Sequence, residues 1–190
     1  MSDLRERFQR ATGHFGGLVH QTKDDQWGDQ TPCTDWDVRT LVNHLVYEAR
    51  WAVPLLEGQT IAEVGDRFEG DLLGDDPGAA YDDARAAASA AVSAVDLDRI
   101  VHLSFGDLPA SDYLTQLTSD FVVHAWDLAR GIGADDRMDV GAVDGDGHVA
   151  EAGKERGSGC HGGRYRSAPS RGLVQGFPSS ARSSPFTTLP

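Results

Sequence analysis

Apolar residues return at intervals of three and four along four stretches of this chain, the spacing of one face of an α-helix. In the first stretch Leu4, Phe8, Ala11, Phe15 and Leu18 form a single stripe, which predicts a helix from about Asp3 to about His20 with Ser2 as its N-cap. The second stripe is Val38, Leu41, Val42, Leu45, Ala49 and Ala52. Before it, Thr34-Asp35-Trp36-Asp37 has the form of a capping box with Asp in place of Glu or Gln, so this helix is expected to start at Thr34. Pro54 should kink or end it. A third helix should follow Asp76-Pro77, a cap and a first-turn proline, and run alanine-rich through Ala94. The fourth, from near Ser111 to a C-terminal glycine at Gly131, carries Leu114, Leu117, Phe121, Ala125 and Leu128. Between these helices lie an acidic connection over 57–76, punctuated by Gly58, Gly65, Gly70 and Gly74, and a short extended segment over 99–106. A connection as long as the first is often functional in a compact domain.

The pattern stops near residue 139. From there to residue 190, Gly, Ser, Pro and Arg fill half of the positions, and no acidic residue follows Glu155. Apolar residues in this tail are isolated and have neither helical nor strand periodicity, so it cannot bury enough surface to offset its ordering entropy. The expected organisation is therefore a helical domain over 1–138 and a disordered, low-complexity tail over 139–190. Such a composition arises when a GC-rich gene is read out of frame; a basic flexible tail that meets the acidic body is the alternative. The tail's Cys160-His161 pair lacks partners at ligand spacing.

The whole chain has 190 residues and a formal net charge of -13. That acidity argues against nucleic acid and against anionic membrane surfaces, both of which need a basic face. There is no apolar run of bilayer-spanning length, and the N-terminus lacks the apolar core of a signal peptide. Cys33 and Cys160 do not suggest a disulfide framework. A cytoplasmic protein is the expectation.

The candidate chemistry lies on two of the predicted helices. Asp120 and His124 are four residues apart and project from nearly the same side. His44 sits at the edge of the second helix's apolar stripe, toward the polar side carrying Thr40 and Tyr47. Three nitrogen and oxygen donors converging between helices would leave a position open on a metal, as in catalytic rather than structural zinc sites. Spacing alone leaves a plainer reading open, in which His44 is simply hydrogen-bonded and Asp120–His124 is an ordinary helix ion pair. Asp127 lies close to the same edge. Cys33, just before a helix start, reads as a packing residue rather than as a nucleophile of lowered pKa. Trp36, Trp51 and Trp126 read as core or groove-lining residues.

Three ordered motifs add to this reading. They are Thr31-Pro32-Cys33 with Trp36, Val38, Leu41 and His44; Glu63-Val64-Gly65-Asp66-Arg67-Phe68 with Gly70-Asp71-Leu72-Leu73-Gly74; and His124 with Trp126-Asp127-Leu128-Ala129-Arg130. Over about residues 3–138 the chain resembles an actinobacterial family, that of the metal-binding domain of mycothiol-dependent maleylpyruvate isomerase in the DinB-like superfamily. The resemblance implies an all-α fold, a DinB-like four-helix bundle with long inter-helix connections. It also implies a divalent metal, usually zinc, held by a His-acid-His set. Carried over, that set is His44, Asp120 and His124, with Asp127 as the weaker acidic candidate because the superfamily often uses the longer Glu. The resemblance further implies a small-molecule thiol such as mycothiol, and an electrophilic partner that it isomerises or conjugates. A metal-dependent hydrolase, and a non-catalytic metal- or ligand-binding module or degenerate copy, stand as alternatives. Glu48 and Tyr113 are positional candidates for a general base, with solvated or packing side chains as the plainer reading.

Overall fold

A computed structural model of the chain describes residues 3–138. Ser2, the tail over 139–190 and Cys160-His161 lie outside the described residues. Four long helices carry the fold: α1 (Leu4–Val19), α2 (Val38–Leu56), α4 (Pro77–Ala94) and α5 (Ala110–Ile132). A single-turn helix α3 (Ile61–Val64) and a hairpin of β1 (Ile100–Leu103) and β2 (Gly106–Pro109) complete the described elements. The chain is thus an all-α bundle with one small antiparallel accessory, as the apolar periodicity and the resemblance both implied.

Each stripe faces the common interior. Phe8, Ala11, Phe15 and Leu18 of α1 are buried, as are Val38, Leu41, Val42, Leu45, Ala49 and Ala52 of α2 and Leu114, Leu117, Phe121, Ala125 and Leu128 of α5. Helix α1 packs between α4 and α5, and α2 packs between the same two helices on the opposite side. Edge-on aromatic contacts tie the first side together: Phe121 meets Phe8 at 6.0 Å and Phe15 at 5.8 Å, with interplanar angles of 89° and 84°. Phe15 also meets Tyr81 of α4 at 5.3 Å. Such pairs contribute about 0.5–1.5 kcal/mol each beyond the area they bury. Arg5 donates from Nε to the Val92 carbonyl and from Nη2 to that of Val95, placing a cation at the C-terminal end of α4.

Several boundaries differ from the sequence expectation, each for a local reason. Helix α1 is capped by the Asp3 side chain, which accepts from the Arg5 amide. Helix α2 begins at Val38, not Thr34, because Asp37 is the cap: its carboxylate accepts from the Thr40 amide at 2.7 Å. Residues 31–36 form a turn that precedes the helix instead of its first turn. Helix α2 passes through the buried Pro54 and ends two residues later. Within the 57–76 connection, Thr60 and Glu63 form a capping box that supports α3. The expected extended segment is the first strand of a hairpin in which Ile100 pairs with Pro109 and Leu103 with Gly106. Helix α5 ends at Gly133, whose φ of 68° is left-handed, and not at Gly131. Gly131 remains helical and serves close packing instead. A Cβ there would lie 3.1 Å from Val38 Cγ2 and 3.2 Å from Thr31 Cγ2. Its bare α-carbon lets the 31–37 turn seat against α5.

Candidate metal centre

Helices α2 and α5 carry the buried histidine and carboxylate side chains of the described residues. His44 from α2 and His124 from α5 are both buried, while the side chain of Asp120 is 27% exposed. Nε2 of His44 lies 3.3 Å from Oδ2 of Asp120, and Nε2 of His124 lies 3.5 Å from Oδ1 of the same carboxylate. One ligand atom from each of the three residues falls within 4.8 Å of the others. The two imidazoles stand nearly perpendicular, at 84° with centroids 5.3 Å apart.

These separations suit a small divalent ion. Zinc takes nitrogen and oxygen donors at about 2.0–2.1 Å, so neighbouring corners of its tetrahedron are about 3.3 Å apart. The two distances to Asp120 are near that value, each to a different oxygen of the carboxylate. Two imidazoles and one carboxylate would hold such an ion, and the partial exposure of Asp120 marks the side from which it would be reached.

The protonation of the set follows from the same contacts. Burial pushes the Asp120 carboxyl up, but the charge on His124 and the hydrogen bond and charge of His44 outweigh it and hold the group below the usual carboxylate range. Burial pushes His124 down; the Asp120 charge, with the hydrogen bond and charge of Asp127, overcomes it and raises the imidazole above its ordinary value.

Asp127 takes a part that the spacing alone did not distinguish. Its Oδ2 lies 2.9 Å from Nδ1 of His124, and its side chain is fully buried. That contact engages the ring nitrogen facing away from Asp120, which fixes the ring and directs Nε2 into the cluster. A second convergence of donors, Cys33, His124 and Asp127, occupies this inner side. The Cys33 sulfur, completely buried, lies 3.4 Å from the same Asp127 oxygen. Asp127 already bonds His124 here, so the trio reads as a support behind the imidazole. Cys33 is completely buried and is not a free thiol, so it offers no nucleophile here.

The surroundings differ from the expectation at Tyr47, which is buried and not on a polar face. Glu48 and Tyr113, the two positional candidates for a base, are completely buried as well, so the solvated reading fails for both. Asn43, next to His44, clamps the 57–76 connection: its Nδ2 donates to the Gly70 carbonyl at 3.1 Å and its Oδ1 accepts from the Leu72 amide at 2.8 Å. Arg39, one turn earlier, donates to the Asp71 carboxylate and the Gly74 carbonyl. The Gly-rich motif is thereby strapped beside the donor set. Trp36 lies against both imidazoles, its ring 4.8 Å from His44 and 5.6 Å from His124, centroid to centroid. The indole was legible as a groove-lining residue, but not its contact with two histidines.

Among the described residues, no helix is long and apolar enough to cross a membrane. The chain is 30% identical over 135 residues to two proteins of Mycobacterium tuberculosis, the uncharacterized proteins MT0763 of strain CDC 1551 / Oshkosh and Rv0738 of strain ATCC 25618 / H37Rv. Each match covers 69% of this chain and 68% of the relative. No solved structure matches it. The family model of the mycothiol maleylpyruvate isomerase N-terminal domain matches residues 8–129, a span that holds all three donors, the strap and Trp36. The chain therefore belongs to the family of the mycothiol maleylpyruvate isomerase N-terminal domain.

Proposed function

We propose that this protein binds a divalent metal, zinc in the first instance, through His44, Asp120 and His124, and uses it to activate a low-molecular-weight thiol such as mycothiol. The observation that carries the reading is the convergence of these three donors from two facing helices, with His124 aimed by a buried carboxylate. Family membership supports the thiol. A bound divalent ion supplies Lewis acidity and favours the thiolate form of a thiol at the open position. The protein's own residues do the rest. His44 and His124 present neutral nitrogens, Asp120 offsets the cation's charge, and Asp127 keeps His124 in the productive tautomer. Burial of both imidazoles keeps bulk water from the inner side of the set, so an incoming thiol and its electrophile approach past Asp120. The reaction class is isomerisation or conjugation of an electrophilic substrate by the thiolate, with no covalent intermediate on the protein.

Metal content of the purified chain, measured by mass spectrometry beside a His44→Ala/His124→Ala variant, tests the reading. The expected result is about one divalent ion per chain, lost in the variant. Turnover of electrophilic substrates that requires added thiol then supports the activity. Turnover that proceeds with water alone would move the protein to the hydrolases. A folded chain that takes up no zinc overturns the metal site.

A further inference from the structure

Residues 30–37 form a turn built to hold one side chain still. The Trp36 carbonyl accepts from the Thr31 hydroxyl at 2.8 Å, from Gln30 Nε2 at 3.0 Å and from the Thr31 amide at 3.3 Å. The Trp36 amide donates to the Cys33 carbonyl at 2.8 Å. Asp37 then caps α2, fixing the turn to the helix that carries His44. Gly131 lets Thr31 and Val38 close against α5, the helix that carries His124. The turn is thus locked onto both helices, and its indole lies tilted at 45° to the ring of His44 and 38° to that of His124. The Trp36 backbone is held on both sides, and its ring contacts both imidazoles.

We propose that Trp36 is a positioning residue of the metal centre, which fixes the two imidazoles relative to each other and favours their metal-loaded state. The inference rests on the metal reading above. An imidazole that donates its lone pair to a divalent cation becomes electron-poor. The face of an indole is electron-rich, and it attracts positive charge more strongly than any other aromatic side chain does. Contact with both rings therefore gains strength when the ion enters. The rings are ordered before the ion enters, by the locked turn and, at His124, by Asp127 as well, so less freedom is lost on binding. Hydrogen-bonding partners that orient metal-bound histidines commonly alter affinity by about 10–100-fold when removed, and a ring contact should lie at the lower end of that range.

The test compares full-length wild type, Trp36→Phe and Trp36→Leu. Zinc affinity is read by competition with a chromogenic chelator, the geometry of the centre by the visible spectrum of the Co²⁺ form, and folding by far-ultraviolet circular dichroism of the metal-free chains. The expected result is a graded loss of zinc affinity, about tenfold for the leucine variant and less for phenylalanine, at unchanged helix content. The Co²⁺ spectrum should shift in the leucine variant and stay near wild type in the phenylalanine variant, because a purely structural role would not move it in that order. If Trp36→Leu fails to fold, Trp36→Phe alone decides: weakened affinity supports the proposal, and wild-type affinity overturns it. Equal affinity and identical Co²⁺ spectra in all three chains overturn the role of Trp36 and leave the metal site standing. A wild-type chain that binds no zinc removes the metal reading and this proposal with it.

Discussion

Asp127 and Asp120 lie on one helix within two turns, yet their replacements should differ in kind. Asp120→Ala deletes a donor and is expected to abolish zinc binding. Asp127→Asn keeps the shape of the side chain but removes the charge that holds His124 Nδ1, so affinity should fall by about 10–100-fold without vanishing. Chelator competition on both variants checks the order; equal losses would mean that the acidic donor is misassigned. The difference was only half legible in the sequence. A spacing of four placed Asp120 and His124 on one side of a helix whatever their rotamers. Which nitrogen His124 turns toward Asp127 depends on a side-chain torsion and on a buried pocket, and neither is written in the spacing. A second residue-scale expectation concerns Gly16, where a Cβ would stand 2.8 Å from the Tyr81 ring. That ring is pinned by its hydroxyl, which donates to the Thr12 carbonyl at 2.7 Å. Gly16→Ala should therefore destabilise the chain by about 1–3 kcal/mol in denaturant unfolding, the usual cost of overpacking. Unchanged stability would show that α1 and α4 can slide apart.

At the scale of elements, helix existence was read correctly wherever a long apolar stripe marks one face, because burial against a bundle interior demands that stripe. The ends were read less well, since caps compete. Thr34 had a box-like pattern, but Asp37 reaches the Thr40 amide while the 31–36 turn uses its own polar groups internally. At the other end of α5, two glycines stood two residues apart, and only the packing of Val38 and Thr31 separates the one needed for closeness from the one needed for its left-handed φ. The hairpin's second strand was hidden because Gly106–Pro109 has little strand-forming residue content. The long connection tests how far a single side chain governs an element. Asn43 satisfies one donor and one acceptor of the strap next to His44. Asn43→Ala leaves the carbonyl of the exposed Gly70 and the amide of the partly buried Leu72 without these bonds, at a cost of about 0.5–1.5 kcal/mol each. The strap should open locally, and trypsin should cut after Arg67 several-fold faster than in wild type while the circular dichroism of the bundle is retained. An unchanged rate of cleavage at Arg67 would mean that Arg39 and its contacts with Asp71 and Gly74 hold the strap alone.

Three tyrosines whose phenols are pushed above their ordinary pKa give the alkaline behaviour of the molecule a definite sign. Burial first, then the charges of Glu69 and Glu48, push the Tyr47 phenol up to about 12. Burial likewise raises Tyr81, and it raises Tyr113 beside Glu48 and Asp120, both well beyond the ordinary value of 10.0. In each case the phenolate is the disfavoured form. Below pH 10 the folded and unfolded chains both keep these protons, and stability does not depend on them. Above pH 10 the unfolded chain releases protons that the folded chain retains, so the unfolded state binds fewer and stability falls as pH rises through about 12. The net charge of -13 acts in the same direction, because each further phenolate adds to the self-repulsion of the compact state. Absorbance at 295 nm, followed against pH in buffer and in guanidinium, measures the effect directly. In guanidinium all four tyrosines should ionise around 10. In buffer Tyr47, Tyr81 and Tyr113 should stay protonated until a single steep step that coincides with loss of the helical signal. Ionisation of all four around pH 10 with the helices intact would mean that water reaches the α2–α5 seam freely, and the low-water interior on which the proposed thiolate chemistry depends would be lost with it.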